Sequence, residues 1–204
     1  MTRPDRLQKL TAVLLAAGGS SRMGRPKQLL RIEDEALVTR MARRLIGLKP
    51  RSVMVVTGSD WQAVNDQLDG LPIQIVHNPC WEEGMASSLA AGVKNLPVEI
   101  EGVLIMLCDQ WRVGLADLQE LVQAWTTDIS HIAAACWHDE GRQVIGPPAI
   151  IPQALFEELT ALKGDRGARL VIENHRKCAT FVAMNNARFD LDKPADLEEF
   201  LTKR

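Results

Sequence analysis

Thr11-Ala12-Val13-Leu14-Leu15-Ala16-Ala17-Gly18-Gly19-Ser20-Ser21-Arg22-Met23-Gly24-Arg25-Pro26-Lys27 joins a continuous apolar run to a loop of glycines, hydroxyls and cations. The run from Thr11 to Ala17 lacks polar alternation, the pattern of a strand buried on both faces of a parallel sheet. Gly18 and Gly19 remove side-chain bulk and allow positive φ, so backbone N–H groups can face a phosphate. Ser20 and Ser21 add hydroxyl donors, while Arg22 and Lys27 add positive charge. Pro26 disfavours helix at Arg25 and predicts an extended loop. These parts suit a polyphosphate clamp. Two familiar glycine motifs do not fit. Arg25-Pro26 precede Lys27 and Gln28 follows it, which breaks GxxxxGK[ST], and GxGxxG is absent. On composition alone the stretch also reads as a solvated Gly/Ser turn with incidental charges.

Outward from this loop, apolar blocks alternate with helical patterns. Helices are predicted over 36–48, 59–68, 85–93, 115–125, 152–162, 167–174 and 194–202. Strands are predicted over 53–56, 73–76, 102–108, 132–137, 180–184 and 189–191, with a polar, Pro-rich break over 138–148. This alternation predicts one α/β domain over residues 1–204, a three-layer sandwich on a mainly parallel twisted sheet. In such sheets the ligand sits outside the carboxyl ends of the strands. The most apolar strand, 102–108, ends at Asp109. A carboxylate there, beside a phosphate loop, is a natural Mg²⁺ ligand, because Mg²⁺ takes one or two carboxylates plus phosphate oxygens and water. A helix N-cap is the plainer alternative, but six residues separate Asp109 from Leu115.

Composition narrows the function. The 204 residues carry 24 Lys plus Arg against 26 Asp plus Glu, which argues against nucleic acid held by bulk electrostatics. A small anionic ligand needs only a local patch. No run approaches the roughly 18 apolar residues of a membrane span, and Met1 to Leu10 has no apolar core of a secretory signal. Cys80, Cys108, Cys136 and Cys178 form no CxxC pair and read as reduced core or near-core residues. The expected setting is cytoplasmic, with no membrane partner. Met85, Met106 and Met184 read as core filler, and the four histidines form no triad order. Five Trp accompany no Tyr, so tyrosine is removed as a catalytic acid.

The pattern AAGxSxRMGxxK after the first strand resembles the nucleotidyltransferases of the nucleotide-diphospho-sugar transferase (Rossmann-like) fold. Within them it is most similar to the molybdenum cofactor cytidylyltransferase branch of the MobA-like NTP transferases. The guanylyltransferase branch tends to read LAGG where this chain has Leu15-Ala16-Ala17-Gly18. The resemblance implies that Leu15, Ala16, Ala17, Gly18, Gly19 and Ser20 meet base and triphosphate, with Arg22 and Lys27 neutralising phosphates. It gives Asp109 the role of metal ligand. Asn78-Pro79-Cys80-Trp81-Glu82-Glu83-Gly84-Met85 resembles the family's NPxWxxGM segment, which implies base reading by Asn78 and an anion near Gly84. Phe189-Asp190-Leu191-Asp192-Lys193-Pro194 resembles DxDTP with Lys193 for Thr. Asp190 and Asp192 share one face of an extended stretch and both can approach a cation, the choice between them left open. Gly164-Asp165-Arg166-Gly167-Ala168-Arg169 matches GDxGAR and is expected to shape the acceptor pocket.

Two departures stand out. Relatives continue Asp-x-Pro where Trp111 stands, and Gly-His-Pro where Gly146-Pro147-Pro148 stands; Trp111 is expected to mark a specialised pocket. The implied activity is Mg²⁺-dependent transfer of a nucleoside monophosphate, CMP from CTP before GMP from GTP, to a phosphate-bearing acceptor such as molybdopterin, with pyrophosphate leaving. Catalysis would rest on Arg22, Lys27 and Asp109. A phosphate nucleophile is already ionised, so no general base is needed. Two other readings remain: a sugar-phosphate nucleotidyltransferase, and a nucleotide-binding maturation partner of a molybdoenzyme with little catalysis.

Overall fold

The structure is a computed structural model that describes residues 3–20, 24–191 and 196. In chain order it runs α1 (Arg3–Leu7), β1 (Leu10–Ala16), β2 (Arg31–Ile32), β3 (Glu35–Ala36), α2 (Leu37–Gly47), β4 (Ser52–Thr57), α3 (Trp61–Asp66), β5 (Gln74–His77), α4 (Met85–Lys94), β6 (Gly102–Leu107), α5 (Leu115–Thr127), β7 (Ile132–Asp139), β8 (Arg142–Pro152), α6 (Phe156–Ala161), α7 (Ala168–Asn174) and β9 (Ala179–Ala183). None of the described helices is long and apolar enough to cross a membrane.

Seven strands form one sheet in the order β5-β4-β1-β6-β8-β7-β9. Only β8 runs against the rest, antiparallel to both β6 and β7. All seven residues of β1 are buried, as expected of a strand covered on both faces. Its alternation divides the core. Leu10, Ala12 and Leu14 pack with Leu37, Met41 and Leu45 of α2 and Leu118, Leu121 and Trp125 of α5. Val13 and Leu15 face the other way, with Leu89 and Val93 of α4, Leu159 of α6 and Val171 of α7. Period-two strands thus feed two helical layers, giving the expected three-layer sandwich.

The chain leaves β1 toward β4 on one side and pairs β6 on the other, so the sheet reverses direction at β1. Register brings Leu15 opposite Leu107, and the Cys108 N–H donates to the Leu15 carbonyl at 3.1 Å. The loop after β1 and Asp109 after β6 therefore emerge side by side, at the switch point where open α/β sheets bind ligands.

Several expectations need correction. The stretch 138–148 is no break but a hairpin, turned at Glu140 (φ 46°) and Gly141 (φ 78°). Two successive positive φ values are what a primed two-residue turn demands. β8 then runs to Pro152, so the helix predicted from there starts only at Phe156. Prolines hid the strand; a register shift between Ala134 and Ala135 lets β7 pass from Ala149 to Gly146, so Pro147 and Pro148 stand in an irregular segment that needs no ladder donors. Residues 189–191 form no strand. Of the predicted terminal helix only Asp196 is described, as helical; the rest lies outside the described residues.

Candidate active site

A cavity of about 350 Å³ opens at the carboxyl ends of β1 and β6. Leu15, Ala16, Ala17, Gly18 and Gly19 form one wall, Trp81, Gly84, Met85 and Ser88 another, and Lys27 and Asp109 its charged end. Six expected residues of the loop and strand end, Leu15 to Gly19 and Lys27, thus meet Asp109 in one place. Lys27 Nζ lies 2.5 Å from Asp109 Oδ2 and donates to the Leu191 carbonyl at 3.2 Å. The Asp109 Oδ1 atom is buried without a hydrogen-bond partner. Ser20, at φ 48°, accepts a hydrogen bond from the Lys27 backbone N–H on its Oγ (3.0 Å), so it shapes the loop. Arg22, like Ser21 and Asp192, lies outside the described residues.

Three residues outside the expected site set build this cavity. Gln28, 2% exposed, donates through Nε2 to the carbonyls of Ala16 (3.0 Å) and Gly18 (2.6 Å), pinning the loop to the end of β1. Trp81 lies so close to Gly19 and Gly58 that a Cβ on either would stand 2.9 and 2.6 Å from it. Met85 is 39% exposed and lines the cavity, so it is not core filler; Met106 and Met184 are buried. Lys27-Gln28 and the small-residue pairs were the available signals. A glutamine directly after the clamp lysine carries no pattern by itself.

Asn78 does not line the cavity. Its Nδ2 donates to Ser87 and Ser88 Oγ at 2.9 Å each, and its Oδ1 accepts from the Cys80 N–H at 3.0 Å. Buried and fully engaged, it anchors the first turn of α4. Gly84 does line the cavity. At φ 102° its added Cβ would fall 2.4 Å from the Gly164 carbonyl carbon and 2.8 Å from Asp165 Oδ1. The Ala86 N–H donates to the Gly164 carbonyl at 3.0 Å, so the helix start is joined to the 164–165 turn.

That turn is the partition between two spaces. A second cavity, about 580 Å³, is lined by Trp137, Pro147, Arg166, Arg169, Gln110 and Asp190 among others, and it shares Met85, Leu107 and Asp165 with the first. Asp190 therefore faces the second cavity, next to the segment whose Leu191 carbonyl meets Lys27. Gln110, 2% exposed, donates to the carbonyls of Pro147 (2.8 Å) and Ala187 (3.1 Å). Trp111 is no pocket residue: it is 7% exposed and packs in the core beside α2 and α5. Arg44 of α2 donates from Nη1 to the carbonyls of Trp111 (2.8 Å) and Val113 (2.5 Å). Burial, and then the neighbouring charge of Arg40, lower its pKa, with Asp117 and Glu35 opposing. A buried indole and a guanidinium thus stiffen the loop after β6.

Cys108 lines the first cavity with its thiol pushed far up, by burial first and then by the charge of Asp109. It is a neutral wall group. Cys136 is also buried, whereas Cys80 and Cys178 are exposed, against the expectation for all four. No group of three or more His, Cys, Asp or Glu able to hold a metal forms among the described residues. A hard cation here would draw one or two carboxylates from the protein and the remaining oxygens from substrate, as Mg²⁺ does with nucleotides. The buried, unsatisfied oxygen of Asp109 fits that demand.

Comparison with known proteins gives the family and the fold. The nicotine blue oxidoreductase of Paenarthrobacter nicotinovorans is 31% identical over 166 residues, 80% of this chain and 81% of that protein. A probable molybdenum cofactor guanylyltransferase of Synechococcus elongatus is 30% identical over 128 residues, 61% of each chain. Among solved structures, Rv0371c from Mycobacterium tuberculosis H37Rv superposes with a TM-score of 0.80 at 26% identity, covering 96% of this chain and all (100%) of that one. The same protein in complex with manganese gives 0.78 at 22%, with 96% and 100% covered. The sheet and helices are those of the nucleotide-diphospho-sugar transferase fold. Residues 12–179 match the MobA-like NTP transferase domain, a span that includes the loop after β1, Asp109 and the partition between the cavities. The chain belongs to that family of nucleotidyltransferases.

Proposed function

We propose that the chain transfers CMP from CTP to the phosphate of an acceptor of the molybdopterin type, with pyrophosphate leaving. The observation that carries this reading is the shared wall: Met85, Leu107 and Asp165 border both the cavity with the glycine loop and the cavity with Arg166 and Arg169. Two substrates seated in these spaces meet beside Asp109. In the forward step an acceptor phosphate oxygen forms a bond to the α-phosphorus of CTP. The bond from that phosphorus to the bridging oxygen breaks, and the electron pair leaves with pyrophosphate.

The nucleophile carries its own charge, so the protein's work is alignment and charge neutralisation. Holding two reactants in line can supply roughly 7–11 kcal/mol of the barrier. Lys27 turns its ammonium to the β- and γ-phosphates, with Arg22 as second cation. Gln28 keeps the Ala16 and Gly18 carbonyls fixed at the base end of the loop. Arg166 and Arg169 receive the acceptor phosphate. Asp109, with Asp190 or Asp192, would hold Mg²⁺, which would supply Lewis-acid stabilisation of charge on the transferring phosphate. The manganese complex of Rv0371c, a protein of the same fold, supports a divalent ion.

The choice of CTP rests on Ala17. Leu15-Ala16-Ala17-Gly18 resembles the cytidylyltransferase branch at the position where the guanylyltransferase branch tends to read LAGG. The molybdopterin acceptor rests on the similarity to the Synechococcus enzyme. A molybdoenzyme is then the natural recipient of the product, in the cytoplasm. The test is pyrophosphate release with each of four NTPs and Mg²⁺, against molybdopterin and a panel of sugar 1-phosphates. Release with CTP and molybdopterin alone supports the reading. Release only with sugar phosphates replaces the acceptor, and nucleotide binding with no release in any arm leaves a binding protein.

A further inference from the structure

The segment 185–191 carries Asp190 yet lies outside every strand, so no ladder of backbone hydrogen bonds fixes it. Besides the turn over Asn185–Arg188, the buried Leu191 and the bond of its carbonyl to Lys27, side chains fasten it to the loop that follows Asp109 and to α5. Gln110 Nε2 donates to the Ala187 carbonyl at 3.1 Å. Asn186 Nδ2 donates to Asp117 Oδ2 at 3.0 Å, and the same oxygen accepts the Gly114 N–H at 2.7 Å. Between these ties, the Arg112 guanidinium carbon stands 3.6 Å from the centroid of the Phe189 ring and 4.9 Å from that of Trp111. Arg188 adds a second guanidinium 4.7 Å from the Phe189 ring. Trp111 cannot yield, because its ring is buried in the core and its carbonyl is held by Arg44.

We infer that Arg112 is a positioning residue: by bridging the rings of Trp111 and Phe189 it fixes Asp190 relative to Asp109, so that both carboxylates serve one divalent ion at the junction of the two cavities. The inference rests on the nucleotidyl-transfer reading above. Phe189 and Asp190 are adjacent, so the position of the ring sets that of the carboxylate. Asp109 and Arg112 are three residues apart in the same loop, so a clasp on Arg112 refers Asp190 to Asp109 itself. A planar guanidinium suits the task because it stacks on aromatic faces, which an ammonium does only as a point charge. Trp111 with Arg112 thus constrains the loop and the Asp190 segment together.

The test is Mn²⁺ binding to the full chain in the presence of CTP, read from the paramagnetic resonance as the protein-dependent loss of signal beyond that of Mn²⁺ with CTP alone, and so independent of turnover. Arg112→Met and Phe189→Leu are each expected to weaken Mn²⁺ binding by about five- to tenfold, in line with loss of a partly desolvated cation–π contact. The double variant should be no weaker than either single one, and Arg112→Lys should fall between wild type and Arg112→Met. CTP binding without metal and the melting temperature should change little. The inference is overturned if both single variants bind Mn²⁺ within twofold of wild type, or if the losses multiply in the double variant. It is equally overturned if melting temperature and metal-free CTP binding fall in step with Mn²⁺ affinity. Should wild type itself bind no Mn²⁺ with CTP, the proposed CMP transfer fails and the inference with it; wild-type binding with unchanged variants overturns the inference alone.

Discussion

Lys27 Nζ sits 2.5 Å from Asp109 Oδ2, with side chains only 17% and 16% exposed. The pair joins residues 82 apart in sequence, one from the loop after β1 and one from the end of β6. Each ion compensates the other in a place where either alone would be costly to bury. The same two groups are the ones a nucleotide triphosphate needs, a cation for its phosphates and a carboxylate for its metal. Ligand entry is then an exchange of partners rather than the creation of new buried charge, which keeps the site organised before substrate arrives.

Asp109→Asn tests that exchange. The amide keeps the shape, removes the charge and leaves the Lys27 ammonium with the Leu191 carbonyl. Turnover with Mg²⁺ and CTP should fall by about 10²–10³ or more, the scale seen when one preorganised electrostatic group is removed. Lys27→Met should lose activity similarly and raise KM for CTP as well. Near-normal pyrophosphate release by Asp109→Asn would remove the carboxylate from the mechanism.

Gln28 offers a separable prediction. Gln28→Met keeps the volume but deserts two carbonyls, those of Ala16 and Gly18, at the base end of the loop. Leaving buried polar groups unpaired costs about 1–3 kcal/mol each. Because the loss acts on the base-binding wall, KM for CTP should rise by about tenfold or more while kcat changes by less than about threefold. Steady-state kinetics over a range of CTP concentrations distinguish this from a fall in kcat, which would tie Gln28 to the phosphates instead.

Sequence carried the cavity at the end of β1 farther than the second cavity, for a physical reason. Leu15 to Lys27 is one contiguous stretch, so its residue types and spacing travel together, and Asp109 is marked by the most apolar strand in the chain. The second cavity is assembled from β7, β8, the 164–169 turn and the segment after β9, with no local pattern to join them. β8 was hidden by Pro147 and Pro148, which strand rules exclude unless a bulge is present. Trp111 read as a pocket residue because a large aromatic beside Asp109 suggests a ligand; that its ring turns inward depends on α2 and α5 packing, which only tertiary structure reveals. Asn78 shows the same limit: an amide after a strand can read a base or cap a helix, and neighbouring Ser87 and Ser88 decide it.

The thiols report on the cavity wall. Cys80 and Cys178 are exposed, while Cys108 and Cys136 are buried. Burial and the adjacent Asp109 charge hold Cys108 as the neutral thiol far above neutral pH, and reactivity requires the thiolate. Native protein should therefore expose two fast-reacting thiols to an aromatic disulfide reagent, and all four in denaturant. Fast modification of Cys108 in native protein, located by peptide mapping, would show that the nucleotide cavity opens to its floor.

Gly84→Ala probes the partition itself. The position combines φ 102° with an added Cβ 2.4 Å from the Gly164 carbonyl carbon, 2.5 Å from its oxygen and 2.8 Å from Asp165 Oδ1. Backbone strain of about 1–3 kcal/mol adds to overpacking of about 1–3 kcal/mol, because the nearest atoms are backbone and cannot rotate away. A loss of about 3 kcal/mol should lower the melting temperature by roughly 6–12 °C for a chain of this size. The 164–165 turn must move, and with it Asp165, which borders both cavities. Affinity for CTP and for the acceptor should therefore fall together, whereas a change in Ala17 should move nucleotide choice alone. Calorimetric binding of each substrate to Gly84→Ala measures the difference; loss of CTP affinity with acceptor affinity intact would mean that Gly84 serves the nucleotide side only.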